Sequence, residues 1–154
     1  MKGILFMKKI ILILCAAVIM TSSAFSAGTR EEAAALLDRA IALMNLDKNR
    51  ALEQFVSGDG GLIIGDLYVF CFAPDGTISA HPALVGSNVH DAPLTDINGT
   101  PLGEAFFSIA EPGVIKEVVY KLRKYDTDSE QEYTKTTLMT KLSDQICGVG
   151  YYSD

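Results

Sequence analysis

DLYVFCFAPDGTISAHPALVGSNVHD, residues 66–91, is the stretch on which the fold of this chain turns. Tyr68, Phe70 and Phe72 alternate with Leu67, Val69 and Cys71, so the two sets project to opposite faces of a strand. Pro74-Asp75-Gly76 follows as a tight turn, proline fixing one φ and glycine free to take a positive one. Thr77 to Ala80 is the returning strand, and it stops at His81-Pro82 because proline has no N–H to give to a ladder. A hairpin with one aromatic strand is thus set before a loop that opens with histidine.

Upstream, Thr29-Arg30-Glu31-Glu32 has the spacing of a capping box, a hydroxyl at the N-cap and a carboxylate three residues on. Leu37, Ile41 and Met44 continue at helical spacing among strong helix formers. Asn45 and Asp47 break the run, and Asp47 caps a second helix with Ala51, Leu52 and Phe55 on its apolar face, ended by Gly58-Asp59-Gly60-Gly61. Downstream, residues 82–98 have no steady period, Asn98-Gly99 is a turn, and Thr100-Pro101 reads as an N-cap with proline at the first helical position. The helix through Ala105, Phe106 and Ile109 ends at Glu111-Pro112-Gly113. Strands are expected over Val114 to Leu122, Tyr133 to Leu142 and Gln145 to Tyr152, with Asp126 to Glu132 as an exposed hairpin loop. The prediction is an α+β domain: N-terminal helices packed on a five-stranded antiparallel sheet with a long loop and helix insert.

The chain has 154 residues, enough for one domain. Residues 1–26 read as a signal peptide: Lys2, Lys8 and Lys9, an apolar run from Ile10 to Met20, then Ala24-Phe25-Ser26 as a cleavage pattern. A retained membrane anchor needs about 20 apolar residues, longer than this run. Cys15 follows Leu14 rather than the small residue of a lipobox, and Met7 serves as well as Met1 for a start. The domain is then 27–154, exported to the periplasm or secreted. Residues 1–26 carry three of the 13 basic residues and none of the 19 acidic ones, so the remainder has a net charge of −9. So acidic a surface repels phosphate backbones, which argues against nucleic acid, and anionic lipid is disfavoured alike.

The hairpin, His81-Pro82, Gly86, Asp91 and the closing run Ile146-Cys147-Gly148-Val149-Gly150-Tyr151-Tyr152 together resemble the single Cache domains. These are extracytoplasmic small-molecule sensor modules of bacterial chemoreceptors and kinases, and the resemblance extends from Thr29 to the C-terminus. It implies a last strand near the first and a small ligand, an organic carboxylate, between the sheet and the insert that follows His-Pro. It also implies a role in chemotaxis or other signal transduction, with a membrane receptor or kinase as partner. Such sensors feed an output module; with the sequence stopping at Asp154, a stand-alone binder is the expectation. If the family's sheet order holds, Cys71 and Cys147 approach each other across the ladder. A disulfide and two buried thiols are both open.

Five residues stand out as ligand-binding candidates: Phe70, His81, Tyr120, Lys121 and Lys135. His81 ends a strand at the mouth of the loop, and imidazole can donate, accept or carry charge near neutral pH. The tyrosines offer an aromatic body and a polar tip, the lysines a charge for a ligand carboxylate. Tyr151, Tyr152 and Lys141 are weaker candidates of the same kinds. No GxSxG, HExxH or Walker loop occurs, so an enzyme is not expected; a small hydrolase built on His81 and Asp91 with Asp66 or Asp75 is the minor alternative. Asp91, Asp96 and Asn98 do not have EF-hand spacing, and neither a metal nor a cofactor is expected. The main alternative to a ligand binder is an envelope interaction module, its pocket filled by its own side chains, with Phe70 and Tyr120 packed on the insert.

Overall fold

A computed structural model describes residues 27–90, 94–123 and 131–153. The expected signal peptide, Asp91 and most of the expected hairpin loop before Glu132 lie outside these residues. Two helices come first, α1 (Arg30–Leu46) and α2 (Lys48–Ser57). The capping box forms as the sequence requires: the Thr29 hydroxyl accepts from the Glu32 N–H, and the Glu32 carboxylate accepts from the Thr29 N–H at 2.8 Å. Asp47 closes α1 and caps α2, its carboxylate accepting from Arg50 N–H. One residue therefore sets the corner between the helices.

The strands are β1 (Ile63–Ile64), β2 (Leu67–Phe72), β3 (Ile78–Ala80), β4 (Lys116–Arg123), β5 (Glu132–Leu142) and β6 (Gln145–Ser153), with α3 (Leu102–Ile109) between β3 and β4. They form one antiparallel sheet in the order β1-β2-β6-β5-β4, with β3 also on β2. The architecture is the expected α+β arrangement, with six strands where five were predicted. The extra strand is two residues long and exposed, too short to show a period. The third strand starts at Ile78 because Thr77 bridges Asn88 instead, and β4 starts at Lys116 because Val114 and Ile115 belong to a turn and a linker. The N-cap of α3 is Pro101 rather than Thr100, and no side chain caps it.

Alternation divides the sheet into two cores. Leu67, Val69, Cys71, Leu138, Cys147 and Val149 face α1 and α2, meeting Leu36, Leu37, Ala40 and Phe55. Phe70, Phe72, Met139, Tyr120 and Ile146 face the other way, against Leu102 and Phe106 of α3 and Val89 of the preceding loop. Fully burying one such large side chain is worth about 1.5–3 kcal/mol, so each layer is held by its own apolar seam. Cys71 and Cys147 are paired directly in the β2–β6 ladder, with Cα atoms 4.1 Å apart, and they form a disulfide. Of the two sulfur readings left open by the sequence, the structure has the bond.

Candidate functional site

The second core is incomplete, leaving a cavity of about 50 Å³ between the sheet and the insert. Phe70, His81, Tyr120 and Lys135 all line it, together with Tyr68, Phe72 and Ile78 from the hairpin and Leu84, Leu94, Leu102 and Leu122. Four of the five candidate residues are brought to one place. Lys121 is not among them. It is exposed, and strand alternation sends it away from the face shared by Tyr120 and Leu122.

The polar end of the cavity is built around Lys135, which is only 2% exposed. Its Nζ donates to the Tyr68 hydroxyl at 3.3 Å and lies 4.8 Å and 4.7 Å from the ring centroids of Tyr68 and Tyr152. Two aromatic faces and a phenol offset part of the cost of removing an ammonium from water. His81 stands beside this group, its ring edge-on to Tyr68 at 4.9 Å. Its Nδ1 accepts from the Ala83 N–H at 3.0 Å, so in the neutral ring the proton sits on Nε2 as a donor.

Burial, and after it the charge of Lys135, lowers the pKa of His81 to about 4. The ring is therefore neutral at pH 7. Between pH 6.5 and 4 the unfolded chain binds a proton here that the folded one refuses. This contribution to stability is complete above pH 6.5 and is lost as the pH falls through 4. Unfolding free energy measured from pH 7.5 to 3.5 should fall less steeply in His81→Gln than in the parent across that window; parallel curves would contradict it.

At the other end Tyr120 is buried, its hydroxyl 2.9 Å from Thr137 Oγ1. Burial pushes its phenol pKa far up, so it acts as a neutral hydrogen-bonding group. Phe106 of α3 packs against both Phe70 and Tyr120, at 5.8 and 5.7 Å between centroids, and stacks on Phe72 at 5.8 Å. This aromatic cluster is what makes the cavity small.

Tyr68 is the residue the sequence reading left out of the site. The antiparallel hairpin is the signal for it, since the start of β2 must lie near the end of β3, where His81 follows. Tyr152 reaches Lys135, whereas Tyr151 turns to the helix-side core and Lys141 is exposed. His90 contacts Phe107 rather than the cavity, and Asp96 accepts from the N–H groups of Asn98 and Thr100 in its own turn. Among the described residues no cluster of three or more His, Cys, Asp or Glu could hold a metal ion. No helix among them is long and apolar enough to cross a membrane.

No family model and no curated protein matches the chain. Solved structures do match. A methyl-accepting chemotaxis protein from Vibrio parahaemolyticus RIMD 2210633 aligns with a TM-score of 0.61 at 22% identity, over 80% of this chain and 88% of that one. A periplasmic sensor domain of a chemotaxis protein aligns at 0.53 with 20% identity, over 80% and 90% of the two chains. A Cache chemosensory domain described for its carboxylic acid recognition aligns at 0.51 with 17% identity, over 80% and 88%. The fold is that of the Cache sensor domains.

Proposed function

We propose that the chain is an extracytoplasmic sensing module that binds a short aliphatic monocarboxylate at Lys135. The observation that carries this is an ammonium 2% exposed on the wall of a cavity that is otherwise mostly apolar. A carboxylate at this place would accept a charge-assisted hydrogen bond from the ammonium, stronger than one between neutral groups. One oxygen would accept from Lys135 and another from the His81 Nε2–H, while the hydrocarbon end meets Phe70, Leu94 and Leu122. At roughly 10–15 Å³ for each water-sized group, the cavity suits a ligand the size of acetate or propionate. The described lining residues include no Asp or Glu, and the α-ammonium of an amino acid would face the like charge of Lys135. The chemotaxis sensors of the same fold support a signalling role, and the one known for carboxylic acid recognition supports the ligand class. A membrane receptor or kinase would receive the signal.

A second reading is favoured by one feature. Phe70 and Tyr120 pack on Phe106 of the insert, the self-filled arrangement expected of a protein-interaction module. Thermal unfolding with acetate, propionate, pyruvate and alanine separates the two. A ligand at 100 times its dissociation constant adds about 2.7 kcal/mol, so a carboxylate should raise the transition and alanine should not. No shift with any carboxylate would favour the interaction module, and turnover of a test compound would favour an enzyme.

A further inference from the structure

Lys135 is rooted on β5, yet its ammonium touches Tyr68, rooted on β2, and between those two strands lies β6. A lysine can cross an intervening strand on its face only where that strand has no side chain in the way. On β6 the position at the crossing is Gly150: it pairs with Thr137, two residues from Lys135, and follows Val149, which pairs with Val69 next to Tyr68. A Cβ on Gly150 would stand 2.3 Å from Lys135 Cε and 2.7 Å from Thr137 Oγ1. Gly148 repeats the device two residues away, where a Cβ would stand 2.4 Å from Met139 Sδ. The two glycines thus leave a trough along this face, filled from β5 by Met139 and Lys135. Neither has a positive φ, so the backbone does not demand glycine at either place; the space does.

We infer that Gly150 is a positioning residue for the Lys135 ammonium, and that the trough it opens sets where the carboxylate-binding charge sits. The binding half of this inference rests on the proposed function; the placement of the lysine does not. In Gly150→Ala the new methyl group displaces Lys135, whose flexible end can move, and the ammonium leaves the rings of Tyr68 and Tyr152.

Two readouts test it on the purified protein. Reductive methylation with formaldehyde and a borohydride reductant, mapped by mass spectrometry, reads the lysine without any ligand. Lys135 should be protected in the parent and should react in Gly150→Ala at a rate approaching that of exposed Lys121. Lys135 equally protected in both proteins would overturn the inference. If Gly150→Ala does not fold, the double variant Gly150→Ala/Lys135→Ala decides: recovery of folding supports the collision with Lys135, and continued failure rejects it. The second readout is the acetate-dependent rise in the thermal transition, which should be lost in Gly150→Ala when measured against that variant's own ligand-free transition. A parent that binds no carboxylate would remove the proposed function and leave the methylation result to judge Gly150 alone. An undiminished acetate response in Gly150→Ala would reject the role of Gly150 alone.

Discussion

Replacing Cys71 and Cys147 together by alanine should lower the free energy of unfolding by about 4.5 kcal/mol. The bond joins residues 76 apart, and in the chain-entropy model closing a loop of that length in the unfolded chain accounts for that amount. Domains of this size are typically stable by about 5–15 kcal/mol, so the loss would be a large part of the total. Both cysteines are fully buried, so a reductant should act slowly on the folded protein and quickly once urea opens it. Urea denaturation with and without dithiothreitol measures the effect in the parent, where the thiols still fill the core. An unchanged midpoint, or two free thiols titrated in the denatured, unreduced protein, would sink the prediction. The bond also bears on the site. Cys71 lies between Phe70 and Phe72, so the strand it ties to β6 is the one that supplies the aromatic wall.

Period-two alternation made that wall legible: Tyr68, Phe70 and Phe72 could be assigned to one face before any partner strand was known. The same rule, pressed further, separates Tyr120 from Lys121. Neighbours on a strand cannot both face one pocket, and β4 exposes its odd positions, Glu117, Val119 and Lys121. Alternation fails, however, to distinguish Lys135 from Lys141. Both lie on the same face of β5, yet one is buried and the other exposed. Residues distant in sequence decide that difference, for it is Tyr68 and Tyr152 that cover Lys135. Two-residue β1 was illegible for another reason: its pairing with Tyr68 and Leu67 holds it, and two exposed isoleucines carry no pattern of their own. The uncapped start of α3 shows the limit of local signals too. Leu102, Gly103 and Phe106 are buried there, and packing takes the place of the Thr100 hydroxyl.

Lys135→Met should abolish the carboxylate response while the ligand-free protein still folds. The ammonium is buried among rings and apolar walls, and methionine, similar in length, fills the same space without the charge. The Tyr68 hydroxyl loses its donor at 3.3 Å, a cost that urea denaturation reads. A carboxylate entering the variant would have to leave water for an apolar cavity without its cation, keeping only the His81 N–H. Removing one partner of a buried charge pair costs about 2–5 kcal/mol, so affinity should fall by roughly thirty- to several-thousandfold. Calorimetric titration with acetate, beside urea denaturation without it, reads the two quantities separately. Binding retained within a few-fold would place the carboxylate elsewhere. Binding and stability lost together would make Lys135 a structural group of the core, and the cavity a packing defect rather than a site.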